Sequence, residues 1–203
     1  MLEAVTASCQ NPRSLLDPLT FRTLLLLLYG AGLRISEALA LTLADVDLDA
    51  GLLQVRDSKF YKTRTVPIGS DLLGVLAQYV THRAAGLRAP DAPFLVSRTG
   101  KPVARSTVEN TFHRLRQRAG VLRHDGARYQ PRLHDMRHTA AVHRLIAWYR
   151  AGADVQGLLP HLATYLGHLH IAATQRYLTL TPELLQEAST RFERYAMEEN
   201  RHD

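Results

Sequence analysis

The sequence predicts an α+β fold that is mainly helical, with one small antiparallel β-hairpin, in a single domain covering residues 1–203. Three observations predict it. Helix-start signals followed by apolar residues at three- and four-residue spacing recur along the chain. Two short runs of β-prone residues are joined by one polar stretch, as in a hairpin. The 203 residues are 46% hydrophobic and 22% charged, and no internal repeat, low-complexity tract or linker divides them. A chain of this length buries roughly 70% of the surface its unfolded form exposes, enough for one substantial core.

In chain order, Asp17-Pro18 reads as an N-cap followed by proline at the first helical position. The helix behind it runs through Leu24–Leu28, ends near Gly30 and Gly32, and is apolar nearly all round, which predicts burial. A second short helix is expected over Ser36–Leu43, then a turn over Asp45–Asp49. Leu52–Val55 and Arg64–Ile68 are the two strands of the hairpin, and Pro67 marks the second as an edge strand. Gly69-Ser70-Asp71 opens a helix that is apolar at Leu72, Leu73, Leu76 and Val80. Residues 84–92 read as a loop and Phe94–Val96 as a short strand. Further helices are expected over residues 105–119, 134–150, 155–167 and 182–197, the last with an apolar stripe of Leu184, Leu185, Ala188, Phe192 and Tyr195.

Composition excludes several classes. The single cysteine, Cys9, rules out an intramolecular disulfide and fits a reducing compartment. The longest apolar stretch, Leu24–Leu33, is interrupted by glycines and falls short of the roughly 18 residues a membrane span needs. The N-terminus opens on Glu3 rather than a basic cluster, so no signal peptide is read there. A soluble, cytoplasmic protein is expected. Net charge is +6, and Lys59, Lys62 and Lys101 are the only lysines among 25 basic residues. Guanidinium forks match phosphate oxygens two at a time, so the arginine excess suits a polyanionic partner. An arginine-rich proteome would give the same skew.

Five polar elements stand out: Gly32-Leu33-Arg34-Ile35-Ser36-Glu37, the hairpin lysines Lys59 and Lys62, His134-Asp135-Met136-Arg137, Leu166-Gly167-His168, and Tyr177 nine residues after His168. Each has a purely structural explanation. Arg34 could pair with Glu37 one helical turn on, the lysines could be solvated, His168 could cap a helix end, and Tyr177 could fill a core. His134 and Arg137 would share one face of a helix, joining a titratable imidazole to a permanent cation. His134 and His138, four apart, also approach the zinc-protease helix pattern, though with Asp135 where that pattern has glutamate.

The order of the five elements resembles the tyrosine recombinase family of integrases and transposon resolvases. Tyr29–Glu37 resembles its first box, Leu133–Thr139 its second, and Tyr165–His168 with Thr174–Tyr177 its third. The resemblance implies that family's catalytic-domain fold and a metal-free transesterification on double-stranded DNA. Tyr177 would attack the scissile phosphate, leaving a 3′-phosphotyrosine and a free 5′-hydroxyl, so rejoining needs no cofactor. Arg34 and Arg137 would clamp the non-bridging oxygens. Lys59 would protonate the leaving 5′-oxygen, and His134 would assist proton transfer at the Tyr177 hydroxyl. His168 would donate a hydrogen bond to the phosphate. Ser58-Lys59-Phe60 stands where the family often has Gly-Lys-Gly, which leaves Lys62 as the alternative to Lys59.

Members commonly carry a separate helical DNA-binding domain ahead of the catalytic one. Only 33 residues precede Arg34, so that domain is expected to be absent here and DNA binding to be weak and salt-sensitive. A monomer in isolation and a tetramer on DNA are expected, with no membrane and no metal or other cofactor. Three other readings stay open on sequence: a recombinase remnant that binds DNA without cutting, a zinc hydrolase built on His134 and His138, and a type IB topoisomerase sharing the chemistry.

Overall fold

The computed structural model describes residues 2–9, 15–58, 62–83, 89–168, 170–179 and 184–190. The chain packs as two compact units, Met1–Arg137 and His138–Asp203. No helix among the described residues is long and apolar enough to cross a membrane.

In the first unit, a 3-10 turn at Leu2–Ala4 leads into helix α1 (Val5–Cys9), which the sequence did not announce. Helix α2 (Pro18–Gly30) starts as expected: the Asp17 carboxylate accepts from the Leu19 and Thr20 N–H groups at 2.9 and 3.2 Å, and Pro18 follows it. Phe21, Leu24, Leu25, Leu27 and Leu28 are buried. After α2 the chain turns through Gly32, whose φ of 60° lies in the left-handed region that glycine tolerates best. Helix α3 (Ile35–Ala40) is shorter than predicted at its C-terminal end, because Leu41 leaves helical geometry with ψ of 135°.

The turn expected over Asp45–Asp49 is a 3-10 turn (Leu43–Asp45) followed by a two-residue strand, β1 (Val46–Asp47). Strands β2 (Leu52–Ser58) and β3 (Lys62–Pro67) form the predicted hairpin. The antiparallel order is β1-β2-β3, which puts Pro67 on an edge strand, where its missing N–H breaks no ladder. Leu53 pairs with Val66 and Val55 with Arg64. Leu53, Val55 and Val66 are buried, so Arg64 takes its place in the row that faces the core.

Helix α4 (Ser70–His82) buries Leu72, Leu76 and Tyr79. Phe94–Val96 does not form the expected strand. These residues are buried, but the segment pairs only through isolated bridges, Thr42 with Pro93 and Val96 with Pro102. Tyr79 anchors it: its hydroxyl accepts from the Val96 N–H at 3.1 Å and lies 3.3 Å from Thr20 Oγ1, and its ring centroid is 5.3 Å from that of Phe94. Helix α5 (Arg105–Arg118) packs through Val108, Phe112 and Leu115.

Helix α6 (Leu133–Arg150) starts at the end of the first unit and lies mostly in the second. The second unit continues with α7 (Val155–Leu166), α8 (Ala172–Gln175), a 3-10 turn (Arg176–Thr179) and a helix over residues 184–190. Its core joins Val142, Leu145 and Ile146 of α6 to Leu159, Leu162 and Leu166 of α7, with Tyr177 and Leu184 added to them. Of the apolar stripe expected in the last helix, Leu184 is buried and Leu185 exposed, while Phe192 and Tyr195 lie outside the described residues.

Replacing Tyr79 with Phe leaves the buried Val96 N–H without its acceptor. The expected loss is about 1–3 kcal/mol of stability, read as a lower urea midpoint at unchanged slope.

Candidate active site

In the first unit the side chains converge on Glu37. As the third residue of α3 it reaches back to the helix start, where Oε2 accepts from the Arg34 N–H at 2.8 Å, as in a capping box. Oε1 accepts from Arg34 Nη1 at 2.6 Å. From β3, Arg64 donates through both terminal nitrogens, at 3.0 Å to Oε1 and 2.9 Å to Oε2. Arg137, on the first turns of α6, places Nη1 3.9 Å from Oε2 and donates from the same nitrogen to the Gly32 carbonyl. The Glu37 side chain is 4% exposed and that of Arg137 1%. Burial alone would push the Glu37 carboxyl up, but hydrogen bonds from Arg64 and the Arg34 N–H, with the Arg64 charge, outweigh it and bring the pKa down to about 2. Glu37 is therefore ionised throughout the physiological range.

Arg34 also lines an open cavity of about 620 Å³ together with Ser36, Arg105, Arg116, Arg132 and His134. Arg116 is buried and anchored by donation from Nη1 to the Pro131 carbonyl at 2.9 Å. His134 is exposed on α6. An imidazole and several guanidiniums around an open space suit a phosphate-bearing ligand. Glu109, paired with Arg105 at 2.8 Å, is the acidic member of the wall.

In the second unit, α7 ends on Gly167 with φ 65° and ψ 44°. This left-handed cap turns the chain so that His168 leaves the helix, its N–H bonded to the Ala163 carbonyl at 2.9 Å. His168 Nδ1 sits 2.7 Å from Thr174 Oγ1, and its ring centroid lies 5.9 Å from that of Tyr177. The Tyr177 hydroxyl is 3.1 Å from Nδ1 of His138, with the ring centroids 5.3 Å apart. Tyr177 is 3% exposed.

Of the predicted site residues, Arg34 and Arg137 meet at Glu37, Arg34 and His134 line one cavity, and His168 and Tyr177 are neighbours. Lys59, the expected general acid, lies outside the described residues. Lys62 opens β3. Arg34 does pair with Glu37, as its structural explanation required. Sequence reasoning missed Arg64, whose signal was an arginine alternating with Val66 on the apolar face of a strand. It weighed His138 only as a metal ligand. Among the described residues no group of three or more His, Cys, Asp or Glu side chains is placed to hold a metal ion.

A family model described as the phage integrase family matches residues 2–183. The chain belongs to this family. It is 44% identical over 193 residues to a protein of Sinorhizobium fredii named as an integrase/recombinase, covering 94% of this chain and 61% of that one. It is 33% identical over 175 residues to the tyrosine recombinase XerA of Pyrococcus furiosus, covering 86% and 55%. The chain thus spans roughly three fifths of the length of these integrase relatives. Among solved structures, a XerA recombinase superposes with a TM-score of 0.70 at 23% identity, covering 94% of this chain and 62% of that one. The Tn1549 transposon integrase in complex with circular intermediate DNA superposes at 0.65 and 21% identity, covering 95% and 64%. These likenesses show a catalytic-domain fold shared across integrases.

The Glu37 cluster gives this integrase-family domain a defined response to acid. A carboxylate whose pKa drops from 4.5 unfolded to about 2 folded contributes stability that is complete above pH 4.5 and lost as pH falls toward 2. The contribution is about 3 kcal/mol, measured as unfolding free energy across a pH series. Glu37→Gln removes this acid limb and, by leaving buried guanidinium charge uncompensated, destabilises by about 3–5 kcal/mol at neutral pH.

Proposed function

We propose that this chain is the catalytic domain of a site-specific DNA recombinase, which cleaves and rejoins duplex DNA by transesterification through a 3′-phosphotyrosine on Tyr177. The observation that carries the reading is the convergence of Arg34 and Arg137, far apart in sequence, on one buried carboxylate. A phosphodiester gains negative charge on its non-bridging oxygens as it becomes pentacoordinate, and fixed guanidiniums stabilise that state without reorganising at the moment of reaction. Two arginines oriented beforehand are what such a reaction asks of a protein. The names of the relatives, integrase and tyrosine recombinase, support the same chemistry.

In this reading Tyr177 is the nucleophile and its ester preserves the energy of the broken bond, so resealing needs no nucleotide. Lys59, between β2 and β3 in sequence, protonates the departing 5′-oxygen. His134, in the wall of the cavity that Arg34 lines, assists proton transfer at the Tyr177 hydroxyl, and His168 donates to a phosphate oxygen. Double-stranded DNA is the partner, with the chain monomeric alone and tetrameric on its site. A DNA substrate and a single cysteine fit work in a reducing cytoplasm.

Covalent trapping tests the reading. The chain is incubated with nicked suicide duplexes drawn from the DNA flanking its gene, denatured, and resolved for a protein–DNA adduct. An adduct that survives chelation by EDTA and disappears in Tyr177→Phe is the expected result. Absence of any adduct, from this chain or from one carrying an added N-terminal DNA-binding domain, favours the binding remnant instead. DNA affinity should fall steeply with salt, with a log–log slope close to the number of phosphates neutralised.

A further inference from the structure

Tyrosine is a poor nucleophile at neutral pH: with an ordinary pKa near 10, about one phenol in a thousand is ionised at pH 7. Something within about 2.6–3.2 Å has to take its proton as it attacks. Among the described residues of the second unit, His138 is at that distance, its Nδ1 3.1 Å from the Tyr177 oxygen. The two ring centroids are 5.3 Å apart and the rings are inclined at 60°. Two features hold this geometry. His138 is on α6, an 18-residue helix, and the Tyr177 ring is packed in the core that α6 and α7 build. His168 limits the ring on another side and is itself fixed by Thr174. A neutral imidazole with its hydrogen on Nε2 has its Nδ1 lone pair directed at the phenol.

We propose that His138 is a further catalytic residue, the base that receives the Tyr177 proton. The inference rests on Tyr177 being the nucleophile. As the Tyr177 oxygen–phosphorus bond forms, the phenolic O–H bond breaks and its proton passes to His138 Nδ1. The bond from phosphorus to the 5′-oxygen breaks, and that oxygen takes a proton from the general acid of the leaving side. On rejoining, the 5′-hydroxyl returns its proton to the conjugate base of that general acid as it attacks the phosphotyrosine, and the imidazolium returns its own proton to the departing phenolate. The role that family resemblance gives to His134 at this hydroxyl therefore falls to His138, while His134 lines the cavity beside Arg34.

The test needs one readout without DNA and one with it. In the free chain, long-range nitrogen-15 spectra of the histidine rings should show His138 neutral with an unprotonated Nδ1 whose shift moves in Tyr177→Phe. A hydrogen on Nδ1, or a shift indifferent to Tyr177→Phe, overturns the proposal. With DNA, single-turnover adduct formation is followed on the suicide duplex and on a version with sulfur in place of the bridging 5′-oxygen, a leaving group that needs no acid. His138→Ala and His138→Gln should each slow adduct formation by about 10²–10⁴-fold on both substrates, with added imidazole restoring part of the His138→Ala rate. Lys59→Ala, by contrast, should recover on the sulfur substrate.

Rates within about threefold of the parent for both His138 variants overturn the assignment. So does a fast His138→Gln, since an amide can orient a phenol but cannot take its proton. Circular dichroism and melting of the two variants separate loss of the base from loss of the fold. If the parent chain forms no adduct, or Tyr177→Phe forms one, the nucleophile assignment fails and His138 falls with it. A normal parent adduct with indifferent His138 variants removes His138 alone.

Discussion

Burying a guanidinium is expensive unless a carboxylate and further hydrogen bonds meet it, and Arg137 at 1% exposure is such a case. Glu37 answers that demand, and the organisation of the first unit follows from it. Its two oxygens cap α3, hold the Arg34 side chain, accept both terminal nitrogens of Arg64 and lie within reach of Arg137. One carboxylate thus joins the turn after α2, the second strand of the hairpin and the first turns of α6. Truncating it would leave cationic groups facing one another in a low-dielectric setting, which is why a single atom pair carries so much of the architecture. Gly32 contributes from the other side, because its left-handed turn directs a carbonyl at the Arg137 guanidinium.

The same constraint prepares the site for an anion. Guanidiniums held by a shared carboxylate have lost most of their rotamer freedom before any ligand arrives, so the entropy of ordering them is spent in folding rather than in binding. The carboxylate also limits their mutual repulsion in the empty site. With a pKa near 2 it does so without titrating under any physiological condition. Arg64 extends this order into β3, where it pairs with Val55 of β2 and is anchored at its tip to Glu37.

What was legible in the sequence was what local chemistry controls. Asp17-Pro18 announced α2 because capping and a fixed proline φ act over two or three residues. The hairpin and its edge strand followed from alternation and from Pro67. Phe94–Val96 misled because β-propensity measures a fit to a half-buried surface, and here the burial comes without a ladder. The Tyr79 hydroxyl supplies the hydrogen bond that a neighbouring strand would have supplied. The candidate residues were legible as a motif, and so was the local Arg34–Glu37 pair, but the long-range partners were not. Arg64 is 27 positions from Glu37 and His138 is 39 from Tyr177, so each pairing exists only once the fold has formed.

Two demands on Tyr177 conflict. Its phenol is enclosed in the core of the second unit and bonded to an imidazole, which satisfies the hydroxyl and keeps it from stray electrophiles. In the proposed reaction the same oxygen must also attack a phosphorus atom. The segment that bears it suits both demands. A four-residue helix and a 3-10 turn make few internal hydrogen bonds, so their positions depend on packing rather than on their own regularity. The packing that holds this segment therefore also sets the 3.1 Å distance from Tyr177 to His138 on which the proposed proton transfer rests.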